Sequence, residues 1–346
     1  MSLIMSTTLG RYSPPPLLYP NTHEQTITIA SGKVSSDLTS FVVGVDLSGM
    51  SAGFWAKVKA DGGDIRVVNA SDAAIPFDLV WIDTGTETGT LFLRDTVLTG
   101  SSNSWKIQYG SSSFEALAAG ATNGRNDTWQ DYELVYLLKD DLVDRSGNND
   151  LVINTGSASY VSNAKGWGGG LAMAADFEAR VTNLVGSSTT FTMSASGHLD
   201  DQTGANRQML GYLATIGSDS GRCNLGFHNT GSDFWTNWDV SNSWNDGSVV
   251  VTATDYRWHG VWDGTTEKEL YLDGVTDALD STITAIGSSN DTFVVGNAGN
   301  GSSNWNGDIA FVYLRLEALS ANWISAEVDN LVNAATFYSL AAEAAI

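Results

Sequence analysis

The sequence predicts an all-β protein: two antiparallel β-sandwich (jelly-roll-like) domains with an extended N-terminal arm and a short C-terminal helix. Three observations carry that expectation. Short runs of alternating apolar residues recur along the 346-residue chain, separated by clusters of Gly, Asn, Asp and Ser. Glycines number 36 against 5 prolines, and charged residues make up 16%, below the roughly 25% of an average globular chain. Long amphipathic helical patterning is absent until the last thirty or so residues. The length exceeds what one hydrophobic core organises, so two domains are expected.

Residues 1–24 are expected to form the arm. Pro14, Pro15 and Pro16 force extended backbone without donors, which suits either a loose terminus or an arm that docks on a partner subunit. Residues 25–112 are expected to form a small sandwich. Its strand candidates are Thr26–Ile29, Phe41–Leu47, Asp64–Val68, Phe77–Ile82, Gly89–Arg94 and Trp105–Tyr109. Within it, Phe54, Trp55 and Val58 stand at helical spacing, which predicts one short helix over Ser51–Lys59. The small polar stretch 113–129 reads as a linker. A larger sandwich is expected over 130–346, with strands that include Thr190–Ser194, Gln208–Ile216, Asn224–His228, Tyr256–Trp262 and Gly307–Leu316. Asp273-Gly274, directly after Leu270-Tyr271-Leu272, is a type I′ hairpin signal. Ser320 caps a helix with Trp323, Ile324, Val328 and Leu331 on one face, and Phe337–Leu340 can return as a terminal strand.

The formal net charge is −22. Residues 1–125 hold 11 acids and 8 bases, whereas 126–346 hold 28 acids and 9 bases. That field disfavours phosphate backbones and anionic lipid, so neither nucleic acid nor membrane insertion is expected. One cysteine, Cys223, excludes an intrachain disulfide and a Cys-based metal site. No apolar run is long enough to span a bilayer, and the first residues lack the basic and apolar regions of a Sec signal.

Aromatic residues give the strongest binding signal. Phe234-Trp235-Thr236-Asn237-Trp238-Asp239, followed by Trp244, gathers three tryptophans in a short polar stretch. Indole faces stack on sugar C–H faces, and Asn and Asp accept hydroxyl hydrogen bonds. Trp235, Asn237, Trp238, Asp239 and Trp244 are therefore candidate ligand-binding residues, the alternative being rings that fill a subunit interface. Trp305, between Asn304 and Asn306, is a second loop candidate. Asp144, Asn148 and Asp150 present hard oxygens in one Gly-containing loop and are the candidate calcium ligands, although the same residue types simply make turns. No other cofactor is expected.

Catalysis has little to work with. A retaining glycosidase needs alternating carboxylates on one strand, about 5–5.5 Å apart. The nearest pairs are Asp131/Glu133 and Glu267/Glu269, and both fit solvated strand faces. His259 reads as a packed or half-exposed strand histidine, and no nucleophile elbow, phosphate loop or zinc spacing occurs.

Residues 26–110 resemble a bacterial and phage domain catalogued as domain of unknown function 2341. The matching segments are Lys33–Phe41, Asp61–Val67, Ile75-Pro76-Phe77 and Ile107-Gln108-Tyr109-Gly110. Residues 132–340 resemble the laminin-G-like, concanavalin A-like sandwich that often follows that domain. Asp144–Leu151, Trp258–Gly264, Leu270–Gly274, Trp305–Ile309 and Leu319–Glu327 carry this likeness. The chain departs from it at Ala310 and Phe311, where acidic residues are usual. The resemblance implies a surface or adhesion context. The expected function is a non-enzymatic virion surface protein of a phage (a head decoration, fibre or tail-tip component) with a glycan- or receptor-binding sandwich. Its expected partners are a capsid or tail protein of the same virion, a cell-surface glycan and further copies of itself. A secreted bacterial carbohydrate-binding adhesin and a polysaccharide hydrolase are the alternatives. Its expected location is the virion surface, or otherwise outside the cell.

Overall fold

A computed structural model describes residues 21–346, apart from 174–175, 185–187, 201–206, 214–222, 228–232, 239–242, 250, 265–266, 281–290 and 298–303. It is mostly antiparallel β-sheet with few helices. The first six strands are β1 (His23–Ile29), β2 (Leu38–Asp46), β3 (Arg66–Asn69), β4 (Phe77–Asp83), β5 (Thr88–Val97) and β6 (Asn103–Tyr109). β1 starts inside the stretch expected to be the arm, whose residues 1–20 lie outside the described residues. Helix α1 (Ala52–Lys57) stands where helical spacing predicted it, with the Ser51 hydroxyl accepting from the Phe54 N–H at 3.1 Å.

The next ten strands are β7 (Leu134–Tyr136), β8 (Val152–Thr155), β9 (Ala158–Val161), β10 (Gly170–Met173), β11 (Glu178–Val181), β12 (Phe191–Leu199), β13 (Arg207–Leu213), β14 (Cys223–Phe227), β15 (Asp233–Trp238) and β16 (Ser243–Val249). They are followed by β17 (Tyr256–Trp262), β18 (Lys268–Leu272), β19 (Val275–Asp280), β20 (Thr292–Val295), β21 (Gly307–Arg315), β22 (Tyr338–Leu340) and β23 (Ala344–Ala345). Helix α2 is Arg125–Thr128, α3 is Ala321–Val332 and α4 is Ala334–Phe337.

Two sheets make the larger sandwich. One runs β16-β15-β14-β13-β20-β11-β8, and the other β19-β18-β17-β12-β21-β10-β9, with β7 also pairing β21. Alternation explains how they face each other. On β17, Trp258 and Trp262 enter the core between the sheets, while Arg257, His259 and Val261 point to the outer face. The hairpin at Asp273-Gly274 joins β18 to β19 with φ of 48° and 84°, the left-handed pair that a type I′ turn requires.

The small sandwich has a three-stranded sheet, β2-β5-β4, and a second sheet, β22-β1-β6-β3, in which β23 also pairs β1. Both terminal strands therefore lie in the first sandwich: Ile27 pairs with Leu340, and His23 with Ala345. Residues 338–345, expected with the second sandwich, are hydrogen-bonded into the first. Burial explains the placement, because β22 covers the otherwise open edge of β1.

Helix α3 sits between the sandwiches. Ser320 caps it by accepting from the Trp323 N–H at 3.3 Å, and Trp323, Ile324, Ala326, Val328 and Leu331 are buried. Trp323 packs edge-on against Phe41, with ring centroids 5.0 Å apart. The Asn330 carboxamide bonds both polar groups of Gly44, accepting from N at 2.7 Å and donating to O at 2.9 Å. It thereby occupies the open edge of β2. The stretch expected to be a linker ends in Trp129, fully buried against Phe92 and Phe311. Phe311 reaches that position through a bulge. Its φ is 40°, and the β12–β21 register slips between Ser194 and Ser196. The slip turns Phe311 outward, although Ile309, two residues earlier, faces the inner core.

Candidate functional site

Trp235, Asn237 and Trp238 lie on β15, and Trp244 lies on β16. The two strands form a ribbon at one end of the seven-stranded sheet. In its register Trp235 stands opposite Asp246, Asn237 opposite Trp244, and Trp238 opposite Ser243. On the other side β15 pairs with β14, Trp235 opposite Gly226 and Asn237 opposite Asn224. The fold thus brings the three sequence-predicted tryptophans onto two hydrogen-bonded strands. Asp239 lies outside the described residues. The ribbon is tied to the opposite sheet at Ser248, whose N–H donates to Asp277 Oδ2 at 2.7 Å. That bond joins β16 to the edge strand β19.

Trp305 does not join this group. It is fully buried, its Nε1–H donates to the carbonyls of His198 (3.1 Å) and Asp308 (3.2 Å), and its ring lies beside Phe227 and Trp258. The polar neighbours that made it look like a loop residue leave it as a core indole whose one donor is satisfied.

The Asp144 loop is organised by its own hydrogen bonds. Asp144 is fully buried. Its Oδ1 accepts from the N–H groups of Val135 (2.8 Å) and Ser146 (3.0 Å). Its Oδ2 accepts from Ser146 Oγ (2.7 Å) and from the N–H groups of Asn148 (3.1 Å) and Asn149 (2.9 Å). Asp150 Oδ1 accepts from the Asp144 N–H at 2.9 Å, and Asn148 Nδ2 donates to Ser146 Oγ at 3.3 Å. Five donors converge on the Asp144 carboxylate, four from its own loop and one from Val135 on β7, so it ties the loop to that strand. Among the described residues no three His, Cys, Asp or Glu side chains gather as a metal site.

One carboxylate of each candidate pair has a local partner. Asp131 forms an ion pair with Arg94 at 2.7 Å. Glu269 accepts from the Tyr271 hydroxyl at 2.6 Å and from Thr276 at 3.2 Å.

A buried charge cluster went unread in the sequence. Arg257 is fully buried on the outer face of β17. Its Nε and Nη2 donate to Glu327 Oε1 at 3.0 and 2.7 Å, and Nη1 donates to the Phe311 carbonyl. His259 Nε2 lies 3.1 Å from the same oxygen, and the Tyr313 hydroxyl donates to Oε2 at 2.8 Å. Burial pushes the Glu327 carboxyl up, but Arg257 and His259 outweigh it and hold the group at about 2. Burial lowers the His259 imidazole, which Glu327 only partly offsets. The cluster fastens α3 to the larger sandwich. The signal was available: Glu327 falls on the apolar stripe with Trp323, Ile324, Val328 and Leu331.

No family model matches the chain, and neither does any curated protein. The chain is all-β. Among solved structures it is similar to the fourth domain of an extracellular arabinanase from Geobacillus stearothermophilus, solved with arabinotriose. That match is 15% identical, covers 57% of this chain and 98% of that one, and has a TM-score of 0.46. The receptor-binding domain of a botulinum neurotoxin C/D mosaic matches at 14% identity, over 58% of this chain and 51% of that one, with a TM-score of 0.46. A sialidase from Trypanosoma rangeli matches at 14% identity, over 58% of this chain and 31% of that one, with a TM-score of 0.43.

Proposed function

We propose that the chain is a non-enzymatic surface protein whose larger sandwich binds a glycan or glycan-bearing receptor at the β15–β16 ribbon. The observation that carries this reading is the register. Asn237 stands opposite Trp244 and lies between Trp235 and Trp238 along its own strand, so three tryptophan positions and one asparagine position belong to one two-stranded element. Indoles supply sugar-stacking area, and an amide fixes orientation through hydroxyl hydrogen bonds. The non-enzymatic part of the proposal is supported by the engagement of Asp131 and Glu269 in local pairs.

The proposed setting is the surface of a phage virion, with a capsid or tail protein and further copies of the chain as partners. A net charge of −22 and a single cysteine support a soluble, disulfide-free particle component. Co-sedimentation of the purified chain with insoluble polysaccharides and with bacterial envelopes tests the binding reading. The chain should pellet with at least one of them, and Trp235→Ala and Trp238→Ala should stay in the supernatant. Release of new reducing ends by the pelleted chain would contradict a non-enzymatic role. Pelleting unchanged by both substitutions would remove the ribbon from the reading.

A further inference from the structure

Away from the ribbon, the stretch 114–127 roofs a cavity of about 230 Å³ against the small sandwich. Its walls include Arg66, Arg125, Arg145, Asp78, Leu79 and Leu117. Three of the chain's 17 basic residues line this one cavity, although the chain holds 39 acidic ones. Two carboxylates, Asp78 and Asp61, also line it, and both are already engaged. Asp78 accepts from Trp129 Nε1 at 2.9 Å and faces Arg145 Nη1 at 3.6 Å, while Asp61 accepts from the Gly63 N–H at 2.9 Å. Arg145 is 7% exposed and also pairs with Asp141 at 3.2 Å. Arg66 is pinned, its Nη1 donating to the Gly63 carbonyl at 3.0 Å and Nη2 to the Glu115 carbonyl at 2.9 Å. Arg125 is half-buried, its Nε donates to Asn126 at 3.3 Å, and its charge acts on the Asp78 carboxylate without a close ion pair among the described residues.

A second cavity of about 260 Å³ adjoins the first, sharing Arg66, Phe77 and Leu117, and adds the apolar side chains of Val67 and Ile75. A cationic chamber therefore opens beside an apolar one. We infer that this paired cavity binds a small organic carboxylate with a C–H-rich body, the chemical class of a sugar acid. The Arg125 fork would meet the carboxylate, and the body would lie along Leu117 and Phe77. Each chamber is smaller than the roughly 300–1,000 Å³ of a drug-sized site, so one sugar-sized unit is the fitting size. Planar guanidinium groups match a carboxylate in bidentate fashion. The two wall carboxylates repel a dianion more than a monoanion, which favours carboxylate over phosphate.

Isothermal titration of the full chain with galacturonate, galactose and inorganic phosphate tests the inference. Galacturonate should bind, and galactose should give no heat. Arg125→Gln should weaken galacturonate at least tenfold without changing the melting temperature. Arg125→Lys, which keeps the charge and loses the fork, should fall between the two. Absence of galacturonate binding would overturn the inference. So would equal affinity in Arg125→Gln, or phosphate binding as tight as galacturonate. If Arg125→Gln melts lower, the same titration on Ala119→Phe, which crowds the wall without touching a charge, must show the loss instead.

Discussion

Replacing Glu327 by Gln tests whether the buried cluster holds α3 in place. Among the described residues the Glu327 carboxylate is the anion bonded to the Arg257 guanidinium, which has no exposure, and it accepts from Arg257, His259 and Tyr313. Holding this carboxyl at about 2 against an ordinary 4.5 corresponds to about 3 kcal/mol. Breaking a buried pair while leaving one charge behind costs about 3–5 kcal/mol. The two figures agree, so Glu327→Gln should lose about 3 kcal/mol at pH 7 in urea denaturation followed by tryptophan fluorescence. The pH dependence gives the sign. Because the folded state holds Glu327 below its unfolded value, it binds fewer protons than the unfolded chain. The stabilisation is therefore present above pH 4.5 and is lost as pH falls from there towards 2. The gap between wild type and Glu327→Gln should narrow over that interval. A gap under about 1 kcal/mol at pH 7, or one that stays constant down to pH 3, would refute the reasoning.

Trp305→Ala should cost about 3–5 kcal/mol as a core truncation, read by the denaturation midpoint, and should leave polysaccharide retention intact. Asp144→Ala should lower the melting temperature by removing the acceptor of five donors, whereas adding calcium or a chelator to the unaltered chain should not move it. A Cβ at Gly44 would collide with the Trp167 indole, so Gly44→Ala should destabilise by about 1–3 kcal/mol, and an unchanged midpoint would contradict that packing. Deleting residues 338–346 should strip the β1 edge and speed hydrogen exchange in β1 and β6 while leaving β12 and β17 protected.

Local chemistry was legible in the sequence. Ser51 and Ser320 cap their helices, Asp273-Gly274 makes its turn, and alternation places β17, because each depends on neighbours a few residues away. Long-range pairing was not legible. Nothing in Tyr338-Ser339-Leu340 specifies that its partner is Ile27–Ile29 of the first sandwich. Trp305 looked like a loop residue because Asn304 and Asn306 flank it, yet its burial is decided by Phe227 and Trp258 from distant strands. Asp144 showed the right oxygen chemistry for a cation, and only the positions of four loop donors and the Val135 N–H of β7 reveal what its carboxylate bonds. Arg257 and Glu327 were readable in principle as charges within apolar patterns, but their pairing required the fold.

The most direct test of the central claim is a glycan array probed with the full chain and with Trp235→Ala and Trp238→Ala. The account predicts a defined set of bound glycans that either substitution removes while the melting temperature holds. Binding to no glycan, or the same binding in all three proteins, would contradict it and return the β15–β16 tryptophans to a structural or subunit-contact role.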